Sequence, residues 1–237
     1  MANRKTILKY RKVHRYLGIF IGLQFIMWTV SGLYFSWTNL DEIHGDHFKK
    51  HHPEVIGFNN LGLPGDALEK IEVESLELKE IAGQPYYLVN GKILINAQTG
   101  KEKTELSKEE ALDIAGRHMA EGLEIAGIER IEETGKHHEY RSGSLPAYVI
   151  SYKTPENLKA YVSIKDASFK SVRHRDWRWF DFLWMTHTMD YEGRDDFNNT
   201  ILRVFSLLGL ITVLSGFLLW YLTSPSIYRI KEFITRK

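Results

Sequence analysis

The chain has 237 residues, of which 43% are hydrophobic and 26% charged, with a net charge of +1 and no cysteine. The lack of cysteine excludes disulfides, iron–sulfur clusters and thioether-linked haem, so any metal or haem must be held by His, Met or carboxylate. Net charge decides little, because it averages two nearly pure apolar runs with a polar middle.

The N-terminal segment, residues 1–16, carries Arg4, Lys5, Lys9, Arg11, Lys12 and Arg15 and no acid. Leu17 to Trp37 then has no charged residue. At about 1.5 Å per residue it spans roughly 30 Å, the thickness of a hydrocarbon core, so 17–37 is predicted to be a transmembrane helix. The run is too long for a signal-peptide core and no small-x-small cleavage site follows, which favours a retained anchor. His14 falls at the edge of this span, where an ionisable residue is inexpensive to keep. Residue chemistry alone leaves it an interfacial side chain or a ligand. Gly18 and Gly22 make a small-xxx-small face further along the span.

After the span come Asp41, Glu42, His44, Asp46, His47, His51 and His52. His44, His47 and His51 are spaced i, i+3, i+7, so a continued helix would align them on one face, a usable set for zinc or copper. Short His-rich tracts are also common as solvated linkers, and no second anchoring ligand is evident.

Residues 38–176 have the composition of a soluble domain, read as α+β: two unequal copies of one unit, a helix followed by a three-stranded antiparallel sheet. The first copy, about 62–102, has a short helix near Pro64–Ile71, strands at 73–81 and 85–89, and an Asn90-Gly91 turn into 92–96. The second, about 106–172, opens on a capping box, Ser107-Lys108-Glu109-Glu110. Its helix is expected to end at Gly122, with strands near 127–133, 145–152 and 158–164.

Residues 177–199 begin with Trp177, Trp179, Phe180, Phe182 and Trp184 and reach His187. Such aromatic density predicts a helix in a membrane interface followed by a loop. Anchoring explains the aromatics but not the histidine. A second span follows over 200–222, apolar from Val204 to Leu222, and Arg229, Lys231, Arg236 and Lys237 lie in the basic tail, 223–237. The inner flanks are acidic instead: Asp41, Glu42, Asp46, then Asp190, Glu192, Asp195 and Asp196. Basic short flanks remain cytoplasmic, so the reading is a two-pass protein with both ends inside and 38–199 outside. Ser31-Gly32 in the first span echoes Ser215-Gly216 in the second, either for close helix packing or as room for a flat ligand.

Val13-His-Arg-Tyr-Leu-Gly18, Trp184-Met-Thr-His187 and Ser215-Gly216 resemble the flanking segments of PepSY-associated transmembrane proteins. Leu106-Ser-Lys-Glu-Glu-Ala-Leu-Asp-Ile-Ala115 is similar to the opening helix of PepSY domains, and Ile95 to Lys101 to the strand and turn that close them. The resemblance implies a bacterial cytoplasmic (inner) membrane protein with an exported PepSY domain. Larger relatives include iron-siderophore reductases that carry haem b, which makes His14 and His187 candidate haem ligands.

Sidedness keeps His14 and His187 of one chain from sharing an iron. Two pairings remain: like histidines across a homodimer, or His187 with His44 or His47 at the outer face. One functional reading is therefore a haem-b electron-transfer subunit that reduces an exported acceptor, its donor another protein or a quinol. The other is a non-enzymatic, membrane-anchored module that binds or regulates an exported protein or larger complex, as PepSY units elsewhere are linked to peptidase inhibition. Gly-x-Ser-x-Gly, His-Glu-x-x-His and phosphate-cradling glycine loops do not occur. No basic, aromatic-interleaved stripe points to nucleic acid.

Overall fold

The computed structural model describes residues 4–51, 56–62, 68 and 72–225. The chain divides into two compact units, Thr38–Phe180 and the flanking segments up to Trp37 and from Asp181 onward.

In the flanking segments, helix α1 runs Arg4–Trp37 and helix α5 runs Thr200–Thr223. Both are long and apolar enough to cross a membrane. Their surfaces reverse those of soluble helices: Ile19, Leu23, Ile26, Val30 and Leu33 of α1 all point outward, Leu23 being 71% exposed. That stripe suits lipid. The helices pack antiparallel, with the Phe20 and Phe205 rings stacked 5.4 Å apart. A Cβ on Gly209 would lie 3.0 Å from the Phe25 ring, so only glycine permits this approach without adjustment.

The Thr38–Phe180 unit opens on one helical turn, α2 (Leu40–Ile43), capped by Asn39. Strands β1 (Leu76–Ile81), β2 (Gln84–Val89), β3 (Ile93–Asn96) and β4 (Glu102–Lys103) form an antiparallel meander. Its β2–β3 turn is the expected Asn90-Gly91 pair, both residues at positive φ. Helix α3 (Lys108–His118) follows, then a second meander of β5 (Ile125–Ile131), β6 (Ala147–Tyr152), β7 (Lys159–Ser163) and β8 (Phe169–Arg173). Each sheet thus has four strands where the sequence reading gives three. The added strands escape pattern recognition because β4 has two residues and β8 alternates Lys170 and Arg173 with few apolar positions. The helix expected near Pro64–Ile71 lies outside the described residues.

The capping box forms as read: Glu110 N–H donates to Ser107 Oγ (3.2 Å) and Ser107 N–H to Glu110 Oε2 (2.8 Å). Ser107→Ala should therefore cost about 1 kcal/mol of stability, measurable as a shift in the urea midpoint without a change in slope. The helix ends at His118, before Gly122, which instead turns the chain into β5 at φ +83°. Ala111, Ile114 and Ala115 of α3 are buried in one core with Ile81, Leu88 and Leu94 of the first sheet and Tyr148, Ile150, Ala160 and Val162 of the second. A single helix therefore covers both sheets.

Helix α4 (Arg175–Thr188) begins in this unit and ends in the other. Arg178 fixes its first turn, donating to Glu139 Oε2 (2.6 Å) and Oε1 (3.2 Å). Tyr161, fully buried, donates its hydroxyl to the same carboxylate at 2.6 Å and stacks on Tyr140 at 4.5 Å.

Candidate functional site

The two span-flanking histidines predicted as ligands occupy equivalent positions in the membrane-type unit. His14 Nδ1 lies 2.7 Å from Ser215 Oγ of α5. His187, near the end of α4, has its Nδ1 2.7 Å from Ser31 Oγ of α1. Each imidazole is thus held by the serine of a Ser-Gly pair on a different helix, and neither Nε2 makes a hydrogen bond among the described residues. The sequence reading assigns both Ser-Gly pairs to packing or to clearance. In the structure the serine supplies a polar contact and, at one end, the glycine supplies the clearance: a Cβ on Gly216 would stand 3.2 Å from His14 Cε1.

His14 is deeper than hydropathy alone suggests. It faces Ser215, eight residues and about 12 Å before the end of α5. His187 faces Ser31, six residues and about 9 Å before the end of α1. Along α1 the two levels are 17 residues apart, roughly 26 Å. The imidazoles of one chain therefore cannot reach a common metal ion.

The seat of His187 is built in detail. Gln24, Trp28 and Ser31 follow one another at i, i+4 and i+7 on one face of α1. Gln24 Nε2 donates to Thr186 O (3.1 Å) and Trp28 Nε1 to His187 O (2.8 Å), satisfying carbonyls at the end of α4 that its own turns leave open. The last turn of α4 is thus docked against α1. Phe35 meets the His187 ring edge-on at 5.6 Å and Trp184 at 5.7 Å. The loop that follows is also tied down. Asp190 accepts the backbone N–H groups of Glu192 (3.2 Å), Gly193 (3.0 Å) and Asp196 (2.9 Å), and Arg194 pairs with buried Asp181. Asn199 caps α5 and donates to Thr188 O at 2.9 Å. Sequence reasoning passed over Gln24, Trp28, Asp181 and Asn199, and read Asp190 only as part of an acidic flank. For Gln24 and Trp28 the available signal was their helical spacing with Ser31 inside an apolar span.

The outer histidines are arranged differently. A helix does not continue through them: His44 ends α2, Gly45 takes a left-handed conformation at φ +73°, and Asp46–Phe48 form a 3-10 turn. The i, i+3, i+7 spacing of His44, His47 and His51 therefore does not place them on one helical face. Glycine is required at 45, where a Cβ would press on Val172 at 3.0 Å. His47 instead packs against Phe48 and, at 5.5 Å, against His174. His174 is 1% exposed and its Nε2 lies 3.1 Å from Ile43 O. Burial pushes its pKa down, favouring the neutral ring. Among the described residues, no group of three His or carboxylate side chains converges as a metal site.

A second feature of the Thr38–Phe180 unit is a groove of about 480 Å³ between β1, α3 and the β7–β8 turn. Leu78, Ile114 and Phe169 supply apolar walls, and Lys79, Arg117 and His118 the polar ones. Arg117 pairs with Glu80 and Asp113, and His118 stacks on Phe169 at 4.8 Å.

In comparisons with known proteins, residues 2–223 match the family model described as the PepSY-associated TM region. No curated protein and no solved structure matches the chain.

Proposed function

This chain belongs to the PepSY-associated transmembrane family, and from that premise we propose that it is a haem-b-binding electron-transfer subunit of the bacterial cytoplasmic membrane. Both ends are cytoplasmic in this reading and residues 38–199 are exported, following the basic outer and acidic inner flanks of the spans. The observation that carries it is the pair of imidazoles, each bonded through Nδ1 to a serine and open at Nε2, at two levels of one helical unit.

These residues fit haem b. Neutral imidazole is its usual axial donor, and no cysteine is needed to hold it. At the His14 level, Gly216 leaves the ring edge uncovered; at the His187 level, Phe35 and Trp28 supply apolar walls. When bound, the haem iron supplies one-electron chemistry at a potential set by its axial ligands. His14 and His187 are the only histidines in the flanking segments, so each level offers one imidazole per chain. The same residue of a second copy, in a homodimer, would supply the second donor at each level. With haem held at both levels, the group would supply a one-electron path from another protein or a quinol inside to an exported acceptor such as ferric iron.

The test is an absorption spectrum of the detergent-purified chain, oxidised and then dithionite-reduced. The expected result is a Soret band that sharpens on reduction and weakens in His14→Ala and in His187→Ala. A colourless preparation from haem-supplemented cells would overturn the reading. The groove beside α3 would then favour the second one, a membrane-tethered module that binds an exported protein.

A further inference from the structure

We infer that Ser31 and Ser215 are positioning residues that lock His187 and His14 in one tautomer, with the proton on Nδ1 and the bare lone pair on Nε2. The consequence for haem ligation rests on the function proposed above; the tautomer assignment does not.

The argument is a count of protons. A serine hydroxyl has one hydrogen to donate. Ser31 Oγ lies 2.6 Å from Met27 O, and Ser215 Oγ lies 2.7 Å from Thr212 O, both backbone carbonyls of the preceding helical turn. Oxygens that close need a hydrogen between them, and the carbonyl has none to give. The hydroxyl hydrogen therefore points to the carbonyl in both cases, the back-bonding usual for serine within a helix. What remains toward the imidazole is an oxygen lone pair 2.7 Å from Nδ1. Two lone pairs at that distance repel, so Nδ1 must carry a proton and donate it. A neutral ring has a single N–H, so Nε2 is left as the acceptor.

The same logic operates independently at the two levels, on different helices and in opposite chain directions. It places the serines in the role that a carbonyl or carboxylate fills behind metal-bound histidines, fixing ring orientation and raising the basicity of the ligating nitrogen. Neutral imidazole in water prefers the opposite tautomer, so the serines do more than accommodate a ring already in this form. In low-dielectric surroundings, with no charged group facing either ring in the hydrogen-bond network described, they are the agents of the preference.

The test uses the full chain in detergent, labelled with ¹⁵N-histidine and free of haem, above pH 8 so that the rings are neutral. Signals of His14 and His187 are identified from His14→Gln and His187→Gln variants. Both rings should show a protonated Nδ1 and a bare Nε2. Ser31→Ala should shift His187 alone toward the Nε2-protonated form, and Ser215→Ala should shift His14 alone. Threonine at either position, which can make the same pair of bonds, should restore the original signature. This rescue separates the positioning role from misfolding. In haem-loaded protein, each alanine variant should bind haem about ten-fold more weakly at its own level and raise the midpoint potential there, with threonine reversing both. A wild-type ring protonated on Nε2, or alanine variants with unchanged signatures and potentials, would overturn the inference. Wild-type protein that takes up no haem but shows the Nδ1–H signature would instead overturn the proposed function and leave the tautomer assignment standing.

Discussion

Glu139→Ala should destabilise the Thr38–Phe180 unit by about 3 kcal/mol, because it takes the carboxylate from two partners at once. Arg178 loses both bonds to the carboxylate and keeps only its backbone contacts, to Asn157 O (3.0 Å) and Glu156 O (3.4 Å), and Tyr161, fully buried, loses the acceptor of its hydroxyl. In thermal unfolding of the full chain in detergent, followed at the β-sheet signal, that loss corresponds to a midpoint lower by roughly 6–12 °C. The carboxyl also imposes a pH dependence. Burial pushes its pKa up, but the bonds from Arg178 and Tyr161 and the charges of Arg178 and Lys159 outweigh that and hold it below the usual carboxylate range. As pH falls, the unfolded chain therefore takes the proton first. The stabilisation is complete above about pH 4.3 and is lost below it, as pH descends through the folded value. Glu139→Gln should accordingly flatten the acid limb of the stability profile. An acid limb identical to wild type would show that the carboxylate is not the group responsible.

Gly216→Val should remove the His14 level while leaving the His187 level intact. A Cβ there stands 3.2 Å from His14 Cε1 and 3.8 Å from Nε2, so a branched side chain displaces the ring and breaks its bond to Ser215. The levels are 17 residues apart on α1 and share no partner, so their losses are independent. If the chain binds haem as proposed, haem per chain, measured as the pyridine haemochrome, should fall by about half. Gly216→Ala asks only a few tenths of an ångström of the ring and should fall by much less. Equal haem content in Gly216→Val and wild type would show that this clearance does not seat the imidazole.

The two spans were legible in the sequence because hydropathy is additive along a helix: an uncharged run long enough to cross a bilayer needs no tertiary information. The capping box, the Asn90-Gly91 turn and the strands of high β-propensity were equally local, and each formed within a few residues of its predicted bounds. The fourth strand of each sheet was not. Strand β8 exists because β7 offers it a ladder, and its own residues state little preference. The outer histidines make the same point: their spacing suits a helix, but the chain turns left-handed at Gly45, where a Cβ would press on Val172, and the register is lost.

By itself the sequence determined a two-span membrane chain with a polar α+β middle and marked His14 and His187 as the imidazoles to watch. It read Ser31-Gly32 and Ser215-Gly216 as close packing or as room for a flat ligand, with no partner for either serine. Only the tertiary structure decided that each serine meets a histidine from another helix, that Gln24 and Trp28 close the end of α4, and that one helix roofs both sheets. The reason is physical. Hydropathy and capping are set by neighbours in the chain, whereas a hydrogen bond between residues 14 and 215 depends on how two helices choose to lie together, which no local pattern encodes.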